Sequence, residues 1–110
     1  SFANLAFPLS LPSKPDRIVG LEERGKPRRE DGKAYKGKAE GSNSSQELWI
    51  ANLTGKPLKE ATNILWFESA YDAMAEYQIN PVKSVYVSTG GTPTKGQIKG
   101  MLEETRQANH

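Results

Sequence analysis

At 110 residues, 35% apolar and 25% charged, the chain is at most one ordinary domain with a modest core. It has no cysteine, which excludes a disulfide scaffold, a thiolate metal site and a thiol nucleophile, and fits a reducing, cytoplasmic setting. The net charge of +2 hides an asymmetry, because nine bases accompany five acids between Lys14 and Lys38 while the remainder is mildly acidic. The front half therefore suits either an anionic partner or a solvated, mixed-charge loop.

No apolar run approaches the roughly 20 residues of a membrane helix. The start, Ser1 to Pro8, lacks the charged and long apolar regions of a signal peptide. Without such a signal, the sequons at Asn43 and Asn52 read as chance.

In chain order, residues 4–9 predict a short strand, which Pro8 confines to an edge. Pro12 to Asp16 is a turn. Arg17 to Arg24 alternates imperfectly and predicts a second strand, antiparallel to the first. Gly25 to Gly32, broken by Pro27, reads as a loop. Lys33 to Lys38, with Tyr35 between lysines, reads as a third strand. Gly41 to Gln46 is a flexible link, and Glu47 to Ala51 a fourth strand. Asn52 to Thr62 marks a boundary. The expected organisation is a basic, β-rich segment over 1–55, a linker over 56–62 and an α/β unit over 63–110.

That rear unit predicts strand 63–67, helix 69–79, strand 84–88 and helix 93–107. Ile64 to Phe67 is an unbroken apolar run, as expected of a strand buried on both faces. Ala70, Ala73, Met74 and Tyr77 then recur with helical spacing. Asn80-Pro81 ends that helix. Thr92 is the expected cap and Pro93 the expected first residue of the second helix, with Ile98, Met101 and Leu102 facing the core. Gly96 and Gly100 suggest close packing on a neighbour. Connections this short imply two parallel strands, whose sheet other strands must complete. The fold class is α/β in this half and α+β overall.

Glu68 falls just past the carboxyl end of a strand, where open α/β sheets place their ligands. Asp72 is four residues later, about one helical turn, so both side chains can enter one crevice. Together they could help hold Mg²⁺, which takes hard oxygen ligands. The same residues also fit local helix chemistry, with Ser69 as cap and Asp72 reaching back. Gly90 and Gly91, ahead of a helix, could present N–H groups to a phosphate or simply permit a positive φ. Arg24, Tyr35, Lys36 and Lys38 could hold single-stranded nucleic acid by phosphate contact and base stacking. Trp66 is assigned to the core and His110 is given no role.

Glu68-Ser-Ala-Tyr-Asp72-Ala-Met, followed by a strand and Thr89-Gly-Gly-Thr, resembles the first half of a Toprim domain. This metal-dependent fold is shared by bacterial primases, topoisomerases and some nucleases. The front half is similar to the basic segment preceding Toprim in bacterial primases, through Phe7-Pro8-Leu9, Arg17 to Arg24, Tyr35-Lys36 and Leu48-Trp49. The order and spacing also resemble Toprim-like proteins of plasmids and mobile elements. The resemblance implies Glu68 as the catalytic glutamate, Mg²⁺ as cofactor, and single-stranded DNA or an RNA/DNA hybrid with nucleotides as partners.

Two departures stand out. Ser69 replaces the glycine that usually follows the glutamate. The Asp-x-Asp motif, on the strand after the second helix, is absent, and the chain ends at Gln107 to His110 where that strand is expected to begin. The expectation is thus a fragment, or a chain without its metal-binding half, whose activity requires the missing acidic strand.

Overall fold

The computed structural model describes residues 5–27, 34–38 and 46–110, the side chains of residues 24–27 and 34–38 excepted. The chain runs β1 (Leu5–Leu9), β2 (Gly20–Pro27), β3 (Ala34–Lys38), β4 (Trp49–Asn52), a 3-10 turn (Leu58–Glu60), β5 (Ile64–Phe67), α1 (Ala70–Ile79), β6 (Val85–Ser88) and α2 (Lys95–Glu104). Among the described residues this α+β arrangement contains two three-stranded sheets. One is antiparallel in the order β1-β2-β3. The other is mixed, in the order β4-β6-β5, with β5 and β6 parallel. Among the described residues no helix is long and apolar enough to cross a membrane.

β1 lies at the edge of its sheet, a position that tolerates Pro8, which has no N–H to donate. Phe7 and Leu9 alternate inward from it. Its partner starts later than expected. The turn after Leu11 consumes the chain through Val19, with Lys14 N donating to Leu11 O (2.9 Å) and Val19 N to Leu9 O (2.8 Å). Ile18 is consequently 64% exposed, and the strand begins at Gly20. At its other end β2 continues through Pro27, past an irregularity between Arg24 and Pro27, where a loop was expected from Gly25. Residues 28–33 lie outside the described residues.

The third strand of the mixed sheet comes from the front half. β4 pairs antiparallel with β6, with Trp49 opposite Ser88 and Asn52 opposite Val85. The expected boundary over 56–62 therefore crosses this sheet, and Leu58 and Ala61 from that stretch belong to its core. The core unites them with Leu48, Ile64, Val85, Val87 and Met101. Just before β4, Leu48 exchanges two backbone hydrogen bonds with Ser10 (2.7 and 2.9 Å), tying the two sheets together.

β6 is the central strand and all four of its residues are buried. β5 is an outer strand. Ile64 is buried, but Leu65, Trp66 and Phe67 are only half-buried, which corrects the expectation of burial on both faces. Trp66 packs partly buried against the core cluster.

Helix α1 begins at Ala70 because Ser69 caps it, its Oγ accepting from Asp72 N at 3.1 Å. The small residues Ala70 and Ala73 face the sheet, whereas Met74 and Tyr77 stay 41% and 43% exposed. They border an open apolar groove of about 660 Å³ beside β4.

Helix α2 is shorter than expected and differently capped. Thr94, not Thr92, is the cap, so Pro93 precedes the helix instead of opening it. Gln97 N donates to Thr94 Oγ1 (3.0 Å) and Thr94 N donates to Gln97 Oε1 (2.9 Å), a complete capping box. The buried stripe is Gln97, Met101 and Thr105. Ile98 and Leu102, expected in the core, are 41% and 45% exposed. The helix is turned so that Gln97 finds its partners inside. On the same helix, a Cβ at Gly100 would meet Pro12 Cγ at 3.4 Å, ordinary van der Waals contact, so space alone does not require glycine there.

Candidate metal and nucleic-acid site

The carboxyl ends of the parallel strands β5 and β6 bring three of the expected features to one end of the sheet. Glu68 directly follows Phe67, Asp72 stands in the first turn of α1, and the Gly90–Gly91 turn directly follows Thr89. The turn is held to β5 by Thr89 N donating to Phe67 O at 3.0 Å. Glu68 and Asp72 are both exposed. The local helix chemistry is present in its forward half, the Ser69 cap. Asp72 is also well placed for the positive end of α1, a favourable contact of about 0.3–1 kcal/mol.

The glycine turn has a local explanation. Gly90 has φ 74° and Gly91 has φ 144°, a backbone that L side chains rarely adopt. Gly90 N already donates to Ser88 Oγ at 3.2 Å. A Cβ at Gly90 would lie 2.7 Å from Glu22 Oε2. The carboxyl group of Glu22, itself buried, thus fills the space a side chain at position 90 would need.

Sequence reasoning missed three buried polar residues here: Glu22, Glu47 and Gln97. Gln97 Nε2 donates to Glu47 O (2.9 Å) and Thr89 O (3.0 Å), so one amide joins the entry to β4, the end of β6 and the start of α2. The signal for it was the spacing Thr94-x-x-Gln97. Glu22 had no comparable signal, since it is one of two adjacent glutamates in a charged strand. His110, assigned no role, accepts a hydrogen bond from Trp66 Nε1 through Nδ1 at 3.0 Å. Its Nε2 lies 3.1 Å from Thr105 Oγ1.

Among the described residues no three His, Cys, Asp or Glu side chains converge as a metal site. Glu68 and Asp72 supply too few oxygens and too little charge to hold Mg²⁺ tightly. By themselves these residues do not make a magnesium centre. Of the expected nucleic-acid contacts, Arg24 lies on β2 opposite Lys36 on β3, and Lys38 lies opposite Glu22. The side chains of Arg24, Tyr35, Lys36 and Lys38 lie outside the described residues.

Against protein-family models, curated proteins and solved structures, the chain finds no match.

Proposed function

We propose that this chain is the amino-terminal part of a Toprim-type, primase-like protein. Its basic β1-β2-β3 sheet would hold single-stranded DNA or an RNA/DNA hybrid. Glu68 would act in Mg²⁺-dependent nucleotidyl transfer once an Asp-x-Asp strand completes the domain. One observation carries the reading: a glutamate immediately past the end of a parallel strand, followed by a capped helix with Asp72 in its first turn and flanked by the glycine turn of the next parallel strand. Because the described residues do not form a metal site, no catalytic step is assigned to this chain alone.

The decisive assay uses a longer polypeptide that continues through the acidic strand, given ribonucleotides in one arm and labelled DNA in the other. Primer synthesis lost in Glu68→Gln supports the primase reading. Cleavage lost in the same variant supports a Toprim nuclease. Neither activity removes the catalytic proposal. For the 110-residue chain, single-stranded DNA affinity should fall steeply with salt, with a log–log slope of about −0.7 per phosphate contacted. Reversing Arg24 and Lys36 to glutamate should weaken it, and unchanged affinity would end the nucleic-acid reading of the front sheet.

A second reading is a non-catalytic nucleic-acid-binding module. It is favoured by the pairing of β2 with β3, which sets Arg24 opposite Lys36. Titration with Mg²⁺, followed by NMR at Glu68, should show millimolar or weaker binding under either reading.

A further inference from the structure

We infer that the groove between β4 and α1 is a binding site for a neutral, flat small molecule of the nitrogen-heterocycle class, with a few polar atoms on its ring. The inference rests on the lining of the groove and does not depend on the Toprim reading.

The groove follows from how the mixed sheet is covered. Side chains alternate between the two faces along each strand. Val85 and Val87 belong to the core on one face, with Ile50 packed against it. Trp49, Ala51 and Leu53 therefore fall on the other face with Tyr86, and all four line the groove. Helix α1 roofs Tyr86, Tyr77 standing edge-on to its ring at 5.7 Å. Among the described residues no helix continues that roof over β4. The Trp49 end is closed by Phe7, whose ring is edge-on to Trp49 at 6.4 Å and to Tyr71 at 5.3 Å. The open stretch measures about 660 Å³, within the roughly 300–1,000 Å³ of small-molecule sites.

Three properties of the lining set the class of ligand. The first is charge. Among the described residues no Asp, Glu, Lys or Arg lines the groove, although the chain is 25% charged. A charged ligand would leave water without meeting a counter-charge, so the matching occupant is neutral. The same lack of a cation separates this ligand from the nucleotides of the proposed function, whose phosphates would go unpaired here.

The second is aromaticity. Four of the lining side chains are Trp49, Tyr71, Tyr77 and Tyr86, while Ala51 and Ala73 add little bulk. Ring faces and edges favour another ring over an aliphatic group of equal area. The third is a small set of uncommitted polar groups. The hydroxyls of Tyr71 and Tyr77 and the amide of Gln78 hydrogen-bond to no other described residue. All three residues are exposed. Each hydroxyl can donate, and the amide can both donate and accept. Three such groups suit a heterocycle with a few ring nitrogens or carbonyls. They are too few for the hydroxyls of a sugar, and a hydrocarbon would leave them unused.

The test titrates the full chain with caffeine, which is flat, neutral and rich in acceptors, and follows methyl signals by NMR. Cyclohexanol and glucose are the controls. Caffeine should shift the methyls of Ala51, Ala73 and Met74 with a Kd of about 1 mM or tighter, and both controls should bind at least about tenfold more weakly. Met74 is already 41% exposed, so Met74→Glu should fold, and its charge should weaken caffeine at least about tenfold. Ile79→Glu adds the same charge outside the lining, at a position 82% exposed, and should leave caffeine binding unchanged. Gln78→Ala should weaken caffeine severalfold and leave cyclohexanol unaffected. The absence of shifts up to about 10 mM caffeine overturns the inference. Equal affinity for cyclohexanol overturns it too, since the groove would then select only for apolarity. So does an equal loss in Met74→Glu and Ile79→Glu. Groove signals that move on dilution of the free chain would assign this face to a second copy and overturn it as well.

Discussion

The two helices start alike and pack differently. Each opens on a hydroxyl cap that accepts from the N–H three residues on, Ser69 from Asp72 and Thr94 from Gln97. Helix α1 then turns its smallest apolar residues, Ala70 and Ala73, to the sheet. Helix α2 turns a glutamine, a methionine and a threonine inward and leaves Ile98 and Leu102 at the surface. Hydrophobic periodicity correctly turns Ala70, Ala73 and Met101 inward but also predicts burial for Met74 and Tyr77 on α1 and for Ile98 and Leu102 on α2, all of which are exposed. A buried amide that satisfies two carbonyls and a cap offsets the incomplete burial of two aliphatic side chains, because each carbonyl deprived of its partner costs about 1–3 kcal/mol. The orientation of a helix follows its most demanding polar group as well as its greasiest stripe.

The largest test of this comparison is Gln97→Ala. It removes both Nε2 hydrogen bonds and the return half of the capping box, and should cost about 3 kcal/mol by urea denaturation. A loss near 0.5 kcal/mol would show that the amide does not set the helix's rotation. Met101→Ala, beside it and fully buried, should cost a similar amount, within about 2–5 kcal/mol for a truncation of this kind.

Next come the caps, where the helices should behave as equals. Ser69→Ala and Thr94→Ala should each lower stability by about 1 kcal/mol. A much larger loss at Thr94 would mean that its cap also holds Gln97 in place, sharpening the contrast.

The smallest effect is expected where periodicity predicts a large one. Ile98→Ser should change stability by less than about 1 kcal/mol, as for a surface position. A core isoleucine would cost several times more, so a loss above about 2 kcal/mol would restore the apolar face that the sequence pattern suggests.

Much of the rear half was legible before any fold was known. Val85 to Ser88 reads as a strand from its β-branched and aromatic residues, and it is the buried centre of the mixed sheet. The Ser69 cap, the end of α1 before Pro81 and the positive φ at Gly90 were each written within a few neighbouring residues. The end of β2 and the cap of α2 were misplaced. In both places a proline bounds the element less sharply than its fixed φ and missing N–H suggest. Pro27 sits within a strand, and Pro93 lies one residue ahead of the cap.

For the candidate site, the placement of Glu68 at a strand end and of Asp72 in the next helical turn could be read locally. The Glu22 carboxyl group lying against Gly90 could not, because the two residues are far apart in the chain and meet only through packing.

What the amino-acid order determined alone are the features that depend on near neighbours: hydroxyl caps, glycine turns, and the periods of strand and helix. Tertiary structure alone decided that β4 completes the sheet of β6, that Gln97 reaches Glu47 fifty positions away, and that Asn109 returns to lie beside Asn63. A backbone group or buried amide must find a partner somewhere, and local sequence states that need without stating who meets it.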